Sequence, residues 1–269
     1  MALYNTIETD TSYKYLQQIV KILDEPICIL GGWAVYLTVN KNFKKAEGRN
    51  YLGSKDIDIG FHIDGSLDKN KLKFTTIAKS LKKIEKDGFK PQSFRYYKEI
   101  HYETGKELTL EETKTTLPHN IFTMYVDPMV DTIHPAFKET FGFTPADEPL
   151  LIPVFQESIY RNELREFNKL LWLPTSEILL ATKMKSLSTR PEGDKLIKDI
   201  CDIYALSWYS DIEYKTLKEK SRDHIDNEII KKIQTRMSGE EDIFKKTQTA
   251  LDIDAKTIQN LLNDVLNLK

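Results

Sequence analysis

Cysteine is nearly missing from this chain. Of its 269 residues only Cys28 and Cys201 are cysteines, so neither a disulfide framework nor a thiolate-rich zinc site is available. Both stand among apolar neighbours and are expected as buried free thiols, which suits a reducing, cytoplasmic location. Histidine is sparse as well. His62, His101, His119, His134 and His224 are scattered and make no metal-ligand spacing. No apolar run approaches the length that crosses a bilayer, and the first residues lack the basic start and apolar stretch of a signal peptide. No membrane partner is expected. Charge of one sign is missing too: the formal net charge is −2, so only a local patch could argue for a nucleic-acid partner. What remains is 40% hydrophobic and 30% charged, the balance of a globular chain with a real core, long enough for one large domain or two modest ones.

Hydrophobic periodicity divides the chain in two. Thr11 to Asp24 has helical spacing and is stopped by Pro26. Ile27 to Leu30 reads as a short buried strand. Gly31-Gly32 turns the chain, Trp33 to Val39 resumes as a helix, and Asn40 to Ser54 reads as a polar loop. Asp56 to Ile63 alternates as a strand. Lys69 to Lys86 reads as one helix with a lysine-rich outer face, Gln92 to Tyr102 as a strand, and Glu103 to Pro118 as a hairpin or loop. Asn120 to Asp131 is strand-like, with Pro128 marking an edge or bulge. Asn168 to Leu173 is a last strand, ended by Pro174. Beyond it come helices: Thr175 to Leu187, Pro191 to Tyr209, and three or four more ending in Asp254 to Leu268. The expected fold is α/β (α+β), with a boundary near Pro174 that gives an α/β domain over 1–174 and a helical domain over 175–269.

One pairing carries chemistry. Gly31-Gly32 follows a strand and opens a helix, so the backbone can approach a ligand and the helix N-terminus offers free N–H groups to an anion. Asp56 and Asp58 then sit one residue apart in a strand, both on one face, while Ile57 and Ile59 point into a core. Aspartate is disfavoured in strands, and two like charges on one face repel. A hard divalent cation relieves that, and Mg²⁺ takes carboxylate oxygens together with substrate phosphate oxygens. A third carboxylate belongs on a neighbouring strand. Asp127 follows the cleaner apolar run and is favoured; Asp131 has the same parity and either caps the strand or serves as that third ligand. In the second half, Asp199 and Asp202 fall on one helix face, Lys183 is a point charge suited to a phosphate, and Arg190 sits in a turn between helices. The bland alternative for Lys198, Asp199 and Asp202 is surface ion pairing. The aromatic run Phe94, Tyr96 and Tyr97 reads either as core or as a base-stacking platform.

Taken together, Gly-Gly, a helix, Asp-x-Asp on a strand and a later strand aspartate resemble the DNA polymerase β-type nucleotidyltransferase superfamily. The stretch Leu179-Leu180-Ala181-Thr182-Lys183-Met184-Lys185-Ser186-Leu187, with Arg190 and then Lys198-Asp199-Ile200-Cys201-Asp202-Ile203-Tyr204, resembles the AbiEii-like branch, the abortive-infection and toxin–antitoxin nucleotidyltransferases. The resemblance spans Ile27 to Tyr204. It implies a nucleotidyltransferase-type mixed sheet flanked by helices and followed by a helical bundle. It implies two Mg²⁺ ions on Asp56, Asp58 and Asp127 (or Asp131), with a nucleoside triphosphate as substrate. Gly31, Gly32, Lys183 and Arg190 would contact the nucleotide, as would Arg49 and Ser54 in the loop before the acids, and Asp199 would be needed for activity. The implied acceptor is a tRNA or RNA end or a protein hydroxyl, with a cognate antitoxin as a further partner. Bulky Trp33 departs from the small or hydroxyl residue common after the Gly-Gly pair. The Gly-Gly-Trp-Ala form also resembles aminoglycoside and lincosamide nucleotidyltransferases, which leaves a small-molecule acceptor open, as does a nucleotide-binding module without turnover.

Overall fold

A computed structural model describes residues 3–237 and 241–266. In chain order the elements are α1 (Thr6–Ile22), β1 (Ile27–Ile29), α2 (Gly31–Glu47), β2 (Asp56–Phe61), α3 (Thr76–Lys86), β3 (Lys90–Gln92), β4 (Arg95–His101), α4 (Leu110–Thr115), β5 (Ile121–Val130), α5 (Phe137–Phe141), β6 (Ala146–Asp147), α6 (Leu151–Gln156), β7 (Arg161–Glu166), β8 (Lys169–Pro174), α7 (Ser176–Thr189), α8 (Asp194–Tyr209), α9 (Tyr214–Arg222), α10 (Asn227–Met237), α11 (Glu241–Leu251) and α12 (Ala255–Leu266). The fold is mixed α/β, as the periodicity requires. The chain forms two compact units. One is Tyr4–Trp33 with Gly53–Pro174; the other gathers Ala34–Leu52 with Leu3 and the described residues from Thr175 onward. Residues 34–52, which the sequence reading counts with the amino-terminal half, thus belong with the helices.

The first unit is built on a mixed sheet of order β3-β4-β5-β2-β1-β8-β7, with short β6 also pairing with β5. β2 and β5 run parallel in the centre. Ile57, Val126 and Tyr96 share one register row and are all buried. That face packs against α1 and α3, where the Tyr96 hydroxyl donates to Glu85 Oε1 at 3.0 Å. Helix α3 buries Ile77, Ala78, Ser80, Leu81 and Ile84 and presents Lys79, Lys82 and Lys86 to solvent, a division that helical spacing fixes. Alternation along β2 therefore aims Asp56 and Asp58 at the opposite face.

Several local expectations need correction. The segment read as a loop from Asn40 is helical to Glu47, because Phe43 is buried between Tyr51 and Tyr209 in the second unit. Lys69 to Lys86 is not one helix: a 3₁₀ turn over Lys69–Phe74 precedes α3, and the Thr75 side chain caps α3 by accepting from Ala78 N. The Glu103–Pro118 stretch contains α4, started by a Thr109–Glu112 capping box. Pro128 marks no sheet edge, since β5 is flanked on both sides. It falls after the last β4 pair, at Val126, and before the first β6 pair, at Met129, where no ladder bond on that side requires its missing N–H. β7 was not expected: Arg161–Glu166 has too little apolar character to be read as a strand, and it forms by pairing with β8 at the sheet edge.

The second unit holds α7–α12 among the described residues. Helices α7 and α8 are buried around most of their circumference. The sequence reading carried the last helix to Leu268; residues 267–269 lie outside the described residues. Both cysteines are buried free thiols.

Candidate active site

The glycine turn and the Asp-x-Asp strand meet in space. Leu30 N donates to the Asp58 carbonyl at 3.0 Å, which ties the end of β1 to β2. The next residue, Gly31, opens α2 at φ +59°, and a Cβ built there would lie 1.8 Å from Asp58 Oδ2. Only glycine tolerates both the left-handed backbone and that carboxylate. The N-terminus of α2, with its partial positive charge, therefore faces an acid of the site. Trp33, the bulky departure, points away from the acids. Its indole is buried, donates to Ser12 Oγ at 3.0 Å and stacks beside Tyr13.

The third carboxylate is placed by strand register. Asp58 stands directly opposite Asp127 in the parallel β2–β5 ladder, and Asp56 stands opposite Tyr125. Paired residues share a face. Asp127 is only 7% exposed. Burial lifts its carboxyl, the charge of Asp58 lifts it further, Arg95 pulls it down and Asp56 lifts it again; the net result is pushed up to about 7. The three acids thus feel one another. Asp131 lies four residues further on, just past the end of β5 and about 13 Å away at strand rise. It is tied to the end of β2, accepting from Ile63 N at 2.9 Å and facing His62 Nδ1 at 2.5 Å. The structure puts Asp127 with Asp58, and Asp131 with His62.

Arg95 is the residue that sequence reasoning missed. It opens β4, donates to Asp127 Oδ2 at 2.5 Å, and lies over the Tyr125 ring at 4.2 Å and the Phe94 ring at 4.9 Å. Burial lowers the guanidinium pKa, but Asp127 and Asp56 raise it above the ordinary value overall. An arginine between aromatics was a visible signal, yet only the β4–β5 register puts it beside Asp127. The other Asp127 oxygen, Oδ1, is buried with no hydrogen-bond partner among the described residues.

A hard cation fits this donor set. The carboxylates share one face, Asp127 bonds Arg95, and its buried Oδ1 is unspent among the described residues. Among the described residues no three His, Cys, Asp or Glu side chains enclose a metal position by themselves. Magnesium does not need such a cage, because it keeps waters and takes one or two carboxylates plus substrate phosphates.

The remaining candidates lie elsewhere. Lys55 pairs with Glu8 at 2.6 Å and lies over the Tyr4 ring, and Ser54 precedes it, half-buried. In the second unit the Arg49 guanidinium bonds the Leu251 carbonyl and covers Phe43. Lys183 Nζ is held by Asp199 Oδ1 at 3.0 Å and Asp202 Oδ2 at 2.7 Å. Arg190 Nε reaches Asp199 Oδ2 at 2.9 Å, Lys198 bonds Asp202, and the Tyr51 hydroxyl donates to Asp202 at 2.7 Å. These are not the surface ion pairs of the bland reading. Asp199 and Asp202 are buried, as are Lys183 and Lys198. Burial favours neutral Asp202, but Lys183 and Lys198 hold its carboxyl below the usual range; burial likewise opposes charge on Lys183, and the two aspartates raise it well above the usual lysine range.

No protein-family profile matches the chain, and no curated protein matches it. Among solved structures it is similar to the crystal structure of an antigenic nucleotidyltransferase-like protein from Paracoccidioides brasiliensis. The identity is 15%, with 91% of this chain and 92% of that one covered, at a TM-score of 0.44. A likeness that distant leaves the activity to be argued from the residues.

Proposed function

We propose that this chain transfers a nucleoside monophosphate from a nucleoside triphosphate to a hydroxyl acceptor. The observation that carries it is the junction of Gly31, Asp58 and Asp127: a helix N-terminus stripped of side chain, against one of two adjacent strand carboxylates, the second with a buried oxygen to spare. The α2 N-terminal amides at Gly31-Gly32 receive the phosphates. Bound magnesium, each ion held by one or two of Asp58, Asp127 and Asp56 together with phosphate oxygens, would polarise the attacked phosphorus and offset charge on the departing pyrophosphate. Asp127 accepts the proton of the attacking hydroxyl. Arg95 fixes the rotamer of Asp127 through Oδ2 and leaves Oδ1 for the reaction.

Lys183, Asp199, Arg190, Arg49 and Ser54 enter this reading through the family resemblance alone. A phosphate contact by Lys183 competes with the two aspartates that hold it. The AbiEii-like branch, a tRNA, RNA or protein acceptor and a cognate antitoxin are the finer parts of the same proposal. The test is transfer of label from each α-³²P triphosphate, with magnesium or with chelator, to RNA, to protein and to small acceptors. Magnesium-dependent label lost in Asp58→Ala supports the reading; label retained in Asp58→Ala refutes it. Host growth arrest by the wild-type chain but not by Asp58→Ala tests the toxin part.

A further inference from the structure

The β1 side of the acid-bearing face carries a cation that the site has not used. Gly60, Cys28, Trp172 and Glu163 are paired in register across β2, β1, β8 and β7, so they share one face of the sheet. Asp58, two residues before Gly60, and Arg161, two residues before Glu163, are on that same face. At the usual strand spacing and rise Trp172 is about 12 Å from Asp58. The Arg161 guanidinium lies over the Trp172 ring at 3.9 Å. Its Nη1 donates to the carbonyls of Val154 at 3.0 Å and Phe155 at 3.3 Å, in the last turn of α6. Nε is buried without a partner, and the residue makes no ion pair, among the described residues. Burial pushes the Cys28 thiol up and the Arg161 charge draws it partly back, so a side chain rooted on the edge strand is felt as far in as β1. Arg161 and Trp172 are both only half-buried.

A guanidinium stacked on an indole and fixed by two carbonyls is held in place before any ligand arrives, and its flat fork matches phosphate oxygens. Position says which phosphates. Asp127, placed to take the acceptor's proton, stands on the β5 side of Asp58, whereas the N-terminus of α2 and Arg161 stand on the β1 side. As the acceptor oxygen bonds the α-phosphorus, the bond to the bridging oxygen breaks on the opposite side, and pyrophosphate leaves with that oxygen and its electron pair. The leaving group therefore points along the face toward β1 and β8. Three carboxylates repel a triphosphate; a cation two strands away offsets that repulsion without standing where a metal would.

We propose that Arg161, carried on Trp172, receives the β- and γ-phosphates of the donor and makes the site prefer a triphosphate to a monophosphate. The proposal rests on the transferase reading and adds a donor contact to it. The probe is a fluorescent α,β-methylene ATP analogue, which cannot be cleaved between its α- and β-phosphorus atoms, titrated by anisotropy in magnesium. Arg161→Met keeps an unbranched side chain over Trp172 and removes the fork. It is expected to weaken the analogue at least about tenfold, the scale of a charge-assisted hydrogen bond. Fluorescent AMP, which lacks those phosphates, is expected to bind Arg161→Met and wild type alike. Arg165→Met removes the same charge from an exposed position on the same strand and is expected to bind the analogue as wild type does. Thermal unfolding confirms that each variant is folded; a merely structural Arg161 would move that midpoint and leave the analogue's affinity alone. Equal binding of the analogue by wild type and Arg161→Met overturns the proposal. So does an equal fall in Arg165→Met, or a loss of AMP by the same factor. Failure of the two readings is distinguishable: Arg161-dependent binding of the analogue with no label transfer from ATP sinks the transferase and keeps the contact, whereas transfer with Arg161-independent binding does the reverse.

Discussion

Two clusters of charge, one in each unit, are built in opposite ways. In the sheet unit Asp56, Asp58 and Asp127 share a face and Arg95 is the cation bonded to Asp127, leaving a buried oxygen unspent. In the helical unit Lys183, Lys198 and Arg190 surround Asp199 and Asp202, both buried and both held by cations. Removing a charge from the first relieves repulsion; removing one from the second strands its partners in a low-dielectric interior. The contrast is between acids gathered on one sheet face, with a buried Asp127 oxygen unpartnered among the described residues, and a closed cluster in which opposite charges pair between α7 and α8.

The comparison breaks or sharpens at four points. The largest effect belongs to Asp58→Ala, which is expected to lower magnesium-dependent transfer about a thousandfold or more, ~4 kcal/mol of barrier, while the thermal midpoint stays level or rises. A variant both inactive and strongly destabilised would make the acids a structural set and erase the contrast. Next comes Asp202→Ala, which leaves Lys183 and Lys198 short of a carboxylate; denaturant unfolding should show a loss of about 3–5 kcal/mol. A neutral result would mean that this cluster is not what joins α7 to α8.

Gly31→Ala is expected to cost about 1–3 kcal/mol in stability, because alanine must hold a left-handed backbone. Its Cβ also displaces the Asp58 carboxylate, so triphosphate binding and transfer should fall together. The smallest effect is a pH dependence. Asp127 is pushed up to about 7 when folded, against about 3.9 in an unfolded chain. Between those values the folded state keeps a proton that the unfolded state has lost. Stability from this group is therefore full below about pH 4 and is lost as pH rises through about 7. Asp127→Asn should flatten that decline in urea titrations across the range; an unchanged slope would remove Asp127 as its source.

Much of the sheet could be read directly. Alternation in Asp56–Ile63 marked the strand, and aspartate's poor fit to strands singled out Asp56 and Asp58 as candidates. Asp127 was legible as a strand-end acid but not separable from Asp131, since parity is the same for both; only the register of β5 against β2 divided them. Arg95 stayed hidden for the same reason. The length of α2 was hidden because Asn40–Glu47 is polar on most sides and is held as helix by Phe43. β7 was invisible because an edge strand paired on one side needs few apolar residues. Burial of Lys183, Lys198, Asp199 and Asp202 contradicts what charge suggests about exposure, so their pairing could not be foreseen from composition.

Local chemistry and periodicity, which depend on neighbours in the chain, determined from sequence alone the mixed α/β class, most of the strands and helices, the glycine turn and the pair of strand carboxylates. Strand register and helix packing, which depend on contacts between residues far apart in the chain, decided the rest: that Gly31 must be bare because Asp58 presses on it, that Asp127 rather than Asp131 stands beside Asp58, that Arg95 is its counter-ion, and that Tyr97 looks toward the acids while Tyr96 looks away.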